Sequence, residues 1–303
     1  MHRLFPAAFA LLTLATAPAV AQLKVVTSTT DLADIAAAVG GAKATITHIS
    51  EGYQDPHFAE AKPSFVLRLR DADVLAFVGL DLEIGWLPLL VQGARNPRVR
   101  PGGSGYVDVS RAIDVLDRAT KRVDRSLGDV HPSGNPHYWL DPANGLLIAR
   151  LFERKFSELD PGNAAEYTRN TDAFGARLAA AEKSWQDELA AIRGKPVVAY
   201  HTSWKYLAEY TGLTIVGFME PKPGVPPSPS HLAGLILEMR RTGAKAIIIE
   251  PFYSRKDADF VASKTGAKVL VLPPSVNGLP GEKVDDYVRL LHYDITLLAN
   301  ALR

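Results

Sequence analysis

The chain of 303 residues contains no cysteine. That absence excludes disulfides as a source of stability and thiolates as metal ligands, so any metal site must be built from imidazole and carboxylate. Net charge is also lacking, with 34 Lys and Arg against 33 Asp and Glu. Removing residues 1–21, which contribute only Arg3 to that balance, leaves a formally neutral chain. Such a chain has no bulk attraction for nucleic acid or for an anionic membrane surface. Long apolar runs are confined to one place. From Leu4 to Val20 the sequence is rich in Ala and Leu, with Arg3 before it and Ala19-Val20-Ala21 closing it ahead of Gln22. This is the pattern of a secretory signal peptide cleaved after Ala21, and its core is shorter than the ~20 residues that span a bilayer. The mature protein is expected to be exported and soluble, with no direct insertion into the membrane.

Strand, turn and helix signals alternate through the remainder. Leu23 to Thr27 is an apolar strand followed by the polar turn Ser28-Thr29-Thr30-Asp31, after which Leu32, Ile35, Ala36 and Val39 recur at helical spacing. Ile46 to Ile49 and Val74 to Val78 read as further strands, and Pro63 to Arg70 as an amphipathic helix. Alternation of this kind predicts parallel sheets. From Asn163 to Ile192 the chain is free of proline, with Pro161 and Gly162 before it and Gly194 and Pro196 after it. One helix there, at about 1.5 Å per residue, would span ~45 Å and form a rigid strut. Beyond it the plan repeats. Pro196 to Tyr200 is a strand, His201-Thr202-Ser203 a polar turn, Trp204 to Tyr210 a helix, Ile215 to Phe218 a strand, Ser230 to Arg240 a helix and Ala246 to Ile249 a strand. The expected fold is α/β: a signal peptide over 1–21, an α/β lobe over 22–160, a linking helix over 161–193 and a similar α/β lobe over 194–303. Ligands should bind in the cleft where the carboxyl ends of the parallel strands converge.

Of the eight histidines, His2 falls in the leader. Three others sit where the backbone holds an imidazole toward a cleft. His57 lies in Asp55-Pro56-His57-Phe58, His137 in Asn135-Pro136-His137-Tyr138-Trp139-Leu140-Asp141-Pro142, and His201 directly after a strand. Taken singly, each reads more readily as an ordinary loop histidine than as a ligand. Together, two in one lobe and one in the other, they would make a site that closes when the lobes meet. His48 reads as strand packing, His231 as capping structure after a serine, and His292 as part of a C-terminal amphipathic helix. His131, in Gly128-Asp129-Val130-His131-Pro132-Ser133-Gly134, stands just ahead of His137. The proline-rich segment from Glu220 to Pro229 reads as stiff cleft wall.

These motifs, with Ile248-Ile249-Glu250-Pro251 and Thr265-Gly266-Ala267-Lys268-Val269, resemble the zinc- and manganese-binding solute-binding proteins of ABC importers, the TroA-like, ZnuA-type superfamily. The likeness covers essentially the whole mature chain. It implies the two lobes and their linking helix, no enzymatic activity, and a periplasmic monomer that captures Zn²⁺ as cargo for an inner-membrane ABC permease and its ATPase. It also implies that His57, His137 and His201 are metal ligands. Neutral imidazole suits Zn²⁺, whereas Mn²⁺ prefers carboxylate oxygen, and manganese-specific members tend to carry a carboxylate where His201 stands.

One feature departs from the family pattern. Many members place an aspartate ligand in the loop after the last strand, but Leu272-Pro273-Pro274-Ser275-Val276-Asn277-Gly278 has no carboxylate. Glu250 is then a candidate fourth ligand; the alternatives are a buried acid that hydrogen-bonds the His201 loop, or a water completing the tetrahedron. The region around His131 is thought to help collect or release metal in such proteins, which gives His131 an auxiliary role. Affinity should fall as pH drops through the histidine range near ~6.5. The same role for Mn²⁺ or another divalent metal is the nearest alternative. An exported zinc hydrolase is the competing class, since three histidines and an open position also hold catalytic zinc. Against it, the sequence has no His-Glu-x-x-His helix and no other acid placed by motif beside the histidines.

Overall fold

The computed structural model describes residues 22–119 and 131–303. The expected signal peptide over 1–21, and Gly128, Asp129 and Val130 ahead of His131, lie outside the described residues. Among the described residues, no helix is long and apolar enough to cross a membrane.

The first sheet holds β1 (Leu23–Thr27), β2 (Ala44–His48), β3 (Val74–Phe77) and β4 (Tyr106–Asp108) in the order β2-β1-β3-β4, with every pair parallel. All four residues of β3 are buried, as expected of a strand covered on both faces. Around the sheet pack α1 (Thr30–Gly40), α2 (Pro63–Arg70), α3 (Leu87–Ala94) and α4 (Pro142–Leu159). The polar turn after β1 starts α1 because the Thr29 hydroxyl accepts the Leu32 amide, satisfying one of the helix's free donors.

The single helix expected from Asn163 to Ile192 is two: α5 (Ala164–Ser184) and α6 (Gln186–Ile192), with a short 3-10 turn over Pro161–Asn163 before them. The break falls at Trp185, whose amide is shared between the carbonyls of Ala181 and Glu182 at 3.1 and 3.2 Å. Its indole is fully buried and donates to His292 Nδ1 at 3.0 Å, so a side chain anchored in the core sits at the junction. Neither helix is a free strut. α5 packs on α1 and α4.

The second sheet repeats the first. Its strands β5 (Pro196–Ala199), β6 (Thr214–Phe218), β7 (Ala246–Ile249) and β8 (Lys268–Val271) are parallel in the order β6-β5-β7-β8. With them pack α7 (Lys205–Thr211), α8 (Pro229–Thr242) and α9 (Lys256–Thr265). The element-level repeat read from the sequence is therefore a repeat of strand order as well. Periodicity did not expose the edge strands β4 and β8: β4 is three residues long, and β8 is four residues long and only partly buried.

The last helix, α10 (Tyr287–Leu302), was expected with the second lobe but also fastens the first. It packs on α6. The Tyr287 amide donates to Asp34 Oδ2 in α1 at 2.9 Å, and its hydroxyl donates to the carbonyls of Trp139 and Asp141. One continuous buried core runs from Leu23, Ile35 and Phe152 through Trp185 to Ile248 and Leu290. Smaller clusters lie on the outer faces of the two sheets.

Gly145 shows how closely α10 is seated. It lies inside α4, where alanine is ordinarily preferred by ~1 kcal/mol, yet a Cβ there would stand 2.4 Å from Tyr287 Cε1. Gly145→Ala is expected to destabilise the protein by about 1–3 kcal/mol through overpacking, measured as a lower urea midpoint. A raised midpoint would mean that Tyr287 does not occupy this place.

Candidate metal centre

All three histidines singled out by their loops arrive at the carboxyl ends of the strands. His57 follows β2 in a short 3-10 turn, Pro56–Phe58, and Asp55 Oδ1 accepts both its amide at 3.0 Å and its Nδ1–H at 2.7 Å. Asn135 Oδ1 does the same for His137, accepting the amide at 3.0 Å and Nδ1–H at 2.9 Å. Asn135 Nδ2 donates to the Thr202 carbonyl at 2.9 Å; this bond orients the amide and ties the His137 motif to the second lobe. His201, just past β5, donates Nδ1–H to Glu220 Oε2 at 2.7 Å, and that oxygen also accepts the Gly224 amide at 3.1 Å.

The consequence is a fixed tautomer. With the proton on Nδ1, each ring presents a bare Nε2 lone pair, the form that binds metal. One donor atom from each of His57, His137 and His201 lies within 4.8 Å of the other two. His137 and His201 are 2% and 3% exposed. The cavity among them measures about 10 Å³ and is walled by Trp139, Ser203, Phe252, Tyr253 and Pro274. That is room for about one small sphere, an ion or a water.

Burial pushes the His137 imidazole well below its usual pKa and that of His131 down to about 4, and neighbouring imidazoles add to both shifts. These two rings therefore stay neutral below the ~6.5 of free histidine, and proton competition at them sets in at lower pH than the sequence suggested. Burial raises the Asp55 carboxyl, but the hydrogen bonds it accepts from the His57 ring and amide, with the favourable electrostatics of the imidazoles beside it, outweigh that and hold it below the usual range.

Glu250 is not brought into the group. It is 1% exposed and lies outside the three-histidine set, and its polar neighbour is the Ser203 side chain of the His201 loop, as in the alternative reading of a buried acid beside that loop. Burial pushes its carboxyl up to about 8, and the charges of Glu220 and Asp55 add to the effect. The acid that bonds His201 is Glu220, in the segment read as cleft wall. The only sequence signal for it was its place two residues past the strand that became β6; the pairing of β6 with the strand that leads to His201 is visible only in the fold. His131 stands beside His57, the two Nε2 atoms 3.1 Å apart, and donates Nδ1–H to the Leu80 carbonyl at 2.8 Å. His48 ends the edge strand β2, half-buried with Nε2 3.3 Å from Glu51 Oε2, so it is not the packed strand residue expected. His231 has its amide capped by Ser228 Oγ at 3.2 Å.

Two parallel α/β lobes of matching strand order, meeting at a buried imidazole centre the size of one ion, define a two-lobed metal-binding protein. The chain belongs to the family described as zinc-uptake complex component A, periplasmic (ZnuA), which matches residues 25–301. It is a metal-binding substrate-binding protein of an ABC importer and not an enzyme. The metal ABC transporter substrate-binding lipoprotein ScbA of Streptococcus cristatus is 25% identical over 288 residues, covering 93% of this chain and 89% of its own. The manganese ABC transporter substrate-binding lipoprotein PsaA of Streptococcus mitis matches to the same extent, 25% over 288 residues with 93% and 89% covered. The iron ABC transporter substrate-binding lipoprotein MtsA of Streptococcus pyogenes serotype M1 is 25% identical over 292 residues, again 93% of this chain and 89% of its own. The fold is that of the crystal structure of ZnuA, with a TM-score of 0.76 at 23% identity over 93% of this chain and 100% of that one.

Two measurements probe the carboxylates. Glu220→Ala leaves the His201 Nδ1–H without its acceptor and should weaken metal binding by about 10- to 100-fold in a competition titration; wild-type affinity would show that His201 is held in place by other means. Glu250 tests the buried acid. A carboxyl whose folded pKa is raised contributes stability below its unfolded value and loses it as pH rises, here between the ordinary 4.5 and about 8. Glu250→Gln, which cannot ionise, should raise the unfolding midpoint of the metal-free protein more at pH 8 than at pH 5. An equal gain at both would count against a protonated Glu250.

Proposed function

We propose that this protein captures Zn²⁺ in the periplasm with His57, His137 and His201 and, as a monomer, hands it to an inner-membrane ABC permease and its ATPase. The observation that carries the reading is the convergence of three Nδ1-anchored imidazoles on a cavity of about 10 Å³. Nitrogen donors favour Zn²⁺ over Mn²⁺ and Fe²⁺, which rank lower at such sites, although curated relatives are named for manganese and iron. Glu250 lies outside the donor group and burial keeps its carboxyl protonated up to about pH 8, so it has no ligand role in this reading. A hydrolase needs space for a substrate beside the ion, and a cavity of about 10 Å³ among Trp139, Phe252, Tyr253 and Pro274 offers none. The leader pattern up to Ala21 supports export, and the absence of cysteine leaves no thiol to carry a lipid, which supports release after cleavage. The lobes are assigned to 22–160 and 194–303 with the helices over 161–193 between them, α10 reaching back across the boundary.

Binding displaces no proton from Nε2 of a ring already neutral with its proton on Nδ1, so the centre is prepared for the ion before it arrives. A chelator-stripped sample titrated with Zn²⁺ against a chromophoric competitor is expected to take up one ion tightly. Mn²⁺ should bind more weakly by at least about 100-fold, and the His57, His137, His201 triple-alanine variant should lose the site. Equal Zn²⁺ binding by the triple variant would place the ion elsewhere, and Mn²⁺ binding as tight as Zn²⁺ would overturn the choice of metal.

A further inference from the structure

The three-histidine set leaves a tetrahedral ion one ligand short, and the loop after β8, Leu272 to Gly278, carries no acid. Pro274 of that loop lines the cavity instead. We infer that His131 is the fourth ligand of the captured ion, completing a set of four imidazole nitrogens; this rests on reading His57, His137 and His201 as the other three.

The argument starts from the tautomers. His57 Nδ1 faces Asp55 Oδ1 and His131 Nδ1 faces the Leu80 carbonyl, at 2.7 and 2.8 Å. Neither oxygen has a proton to give, so both rings carry theirs on Nδ1 and both Nε2 atoms present lone pairs. Those lone pairs meet at 3.1 Å. Two acceptors at hydrogen-bond distance repel unless a cation lies between them. Nitrogens bound at about 2.0–2.1 Å to one tetrahedral ion stand ~3.3 Å apart, close to the separation found.

The same arrangement, Nδ1 held by an oxygen and Nε2 free for an ion, recurs in His137 and His201. Among the other described histidines it is absent: His48 and His231 use Nε2 for Glu51 and for the Phe218 carbonyl, and His292 Nδ1 accepts from Trp185. The support under His131 is also specialised. Gly79, Leu80 and Asp81 have φ of 82°, 54° and 66°, three successive left-handed residues of which two bear side chains that disfavour it. Glu83 holds this turn by accepting the Val78 and Gly79 amides at 2.7 and 3.0 Å. Strained backbone of this kind persists where the surroundings fix it, and such segments cluster at ligand sites. Here it presents the Leu80 carbonyl to His131.

His131 stands at the edge of the centre. Its ring centroid is 6.4 Å from that of His137, against 5.4 Å between His57 and His137, and its nitrogens fall outside the set whose donors all lie within 4.8 Å of one another, so coordination requires it to close in on the ion beside His57. The resulting site takes three ligands from the first lobe and one from the second, all neutral. A set without carboxylate discriminates against Mn²⁺ and Fe²⁺ more strongly than one that includes an acid.

The test is zinc-edge X-ray absorption on the full chain loaded with one equivalent of Zn²⁺, counting coordinated imidazoles, together with the competition titration. Four imidazoles are expected in the wild type, three with an added oxygen in His131→Ala, and four in Glu250→Ala. His131→Ala should also weaken Zn²⁺ binding by about 10- to 100-fold. Three imidazoles in the wild type, or unchanged coordination in His131→Ala, would overturn the inference while leaving the three-histidine site intact; the wild-type count does so even if a variant fails to fold. Zinc that binds the triple-alanine variant undiminished would instead remove the reading on which the inference rests.

Discussion

A neutral imidazole has one proton and one lone pair, and whichever oxygen takes the proton decides where the lone pair points. At this centre that choice is made by Asp55, Asn135 and Glu220, each within 2.9 Å of a ring Nδ1. Two of the three oxygens belong to residues two positions before the histidine they orient, where they also accept its amide. Such local loops are self-contained clamps. The third comes from the neighbouring strand's end, and it needs the sheet to exist. Everything outward of these bonds serves to bring the three clamps to one point: parallel strands whose carboxyl ends face inward, a repeated strand order, and a core that fixes one sheet against the other.

This division explains what was legible from residues alone. Asp55-Pro56-His57 and Asn135-Pro136-His137 place histidine and anchor within a few residues, so their settings could be read in the string. The apolar strands and the repeat of strand, turn and helix were readable for the same reason, since each signal is local. Glu220 was not, because its partner lies 19 residues away and only pairing of β6 with β5 brings them together. Its five neighbouring prolines suggested a wall and concealed an anchor. The break at Trp185 was equally hidden: Ala, Glu, Arg and Leu favour an unbroken helix, and the interruption comes where a buried indole bonds His292 across the core. Tertiary contacts decided both cases.

Burial around the centre has a second effect, on acids and imidazoles alike. It penalises charge, so His137 and His131 stay neutral while Glu250 holds its proton into mildly alkaline conditions. The surroundings of the site are therefore close to uncharged apart from Asp55 and the anchors, and an arriving dication meets little competing charge. Asp31, buried at the start of α1 and bonded to the Val276 amide of the other lobe at 2.9 Å, is likewise pushed up by burial, to about 7. The lobe interface thus contains groups that favour the neutral form.

The continuity of the core has a mechanical consequence. Lobes joined by a flexible linker can swing apart, and a cleft between them opens as a whole. Here α5 and α6 lie against both lobes, α10 crosses from one to the other, and a single apolar cluster runs between them, so a swing of that kind would expose interior to water along the entire seam. The pieces that can yield at lower cost are the loops bearing the imidazoles. For the ion capture proposed above, release would then fall to the ligand loops of a body that keeps its shape, more like unlatching a clasp than opening a hinge.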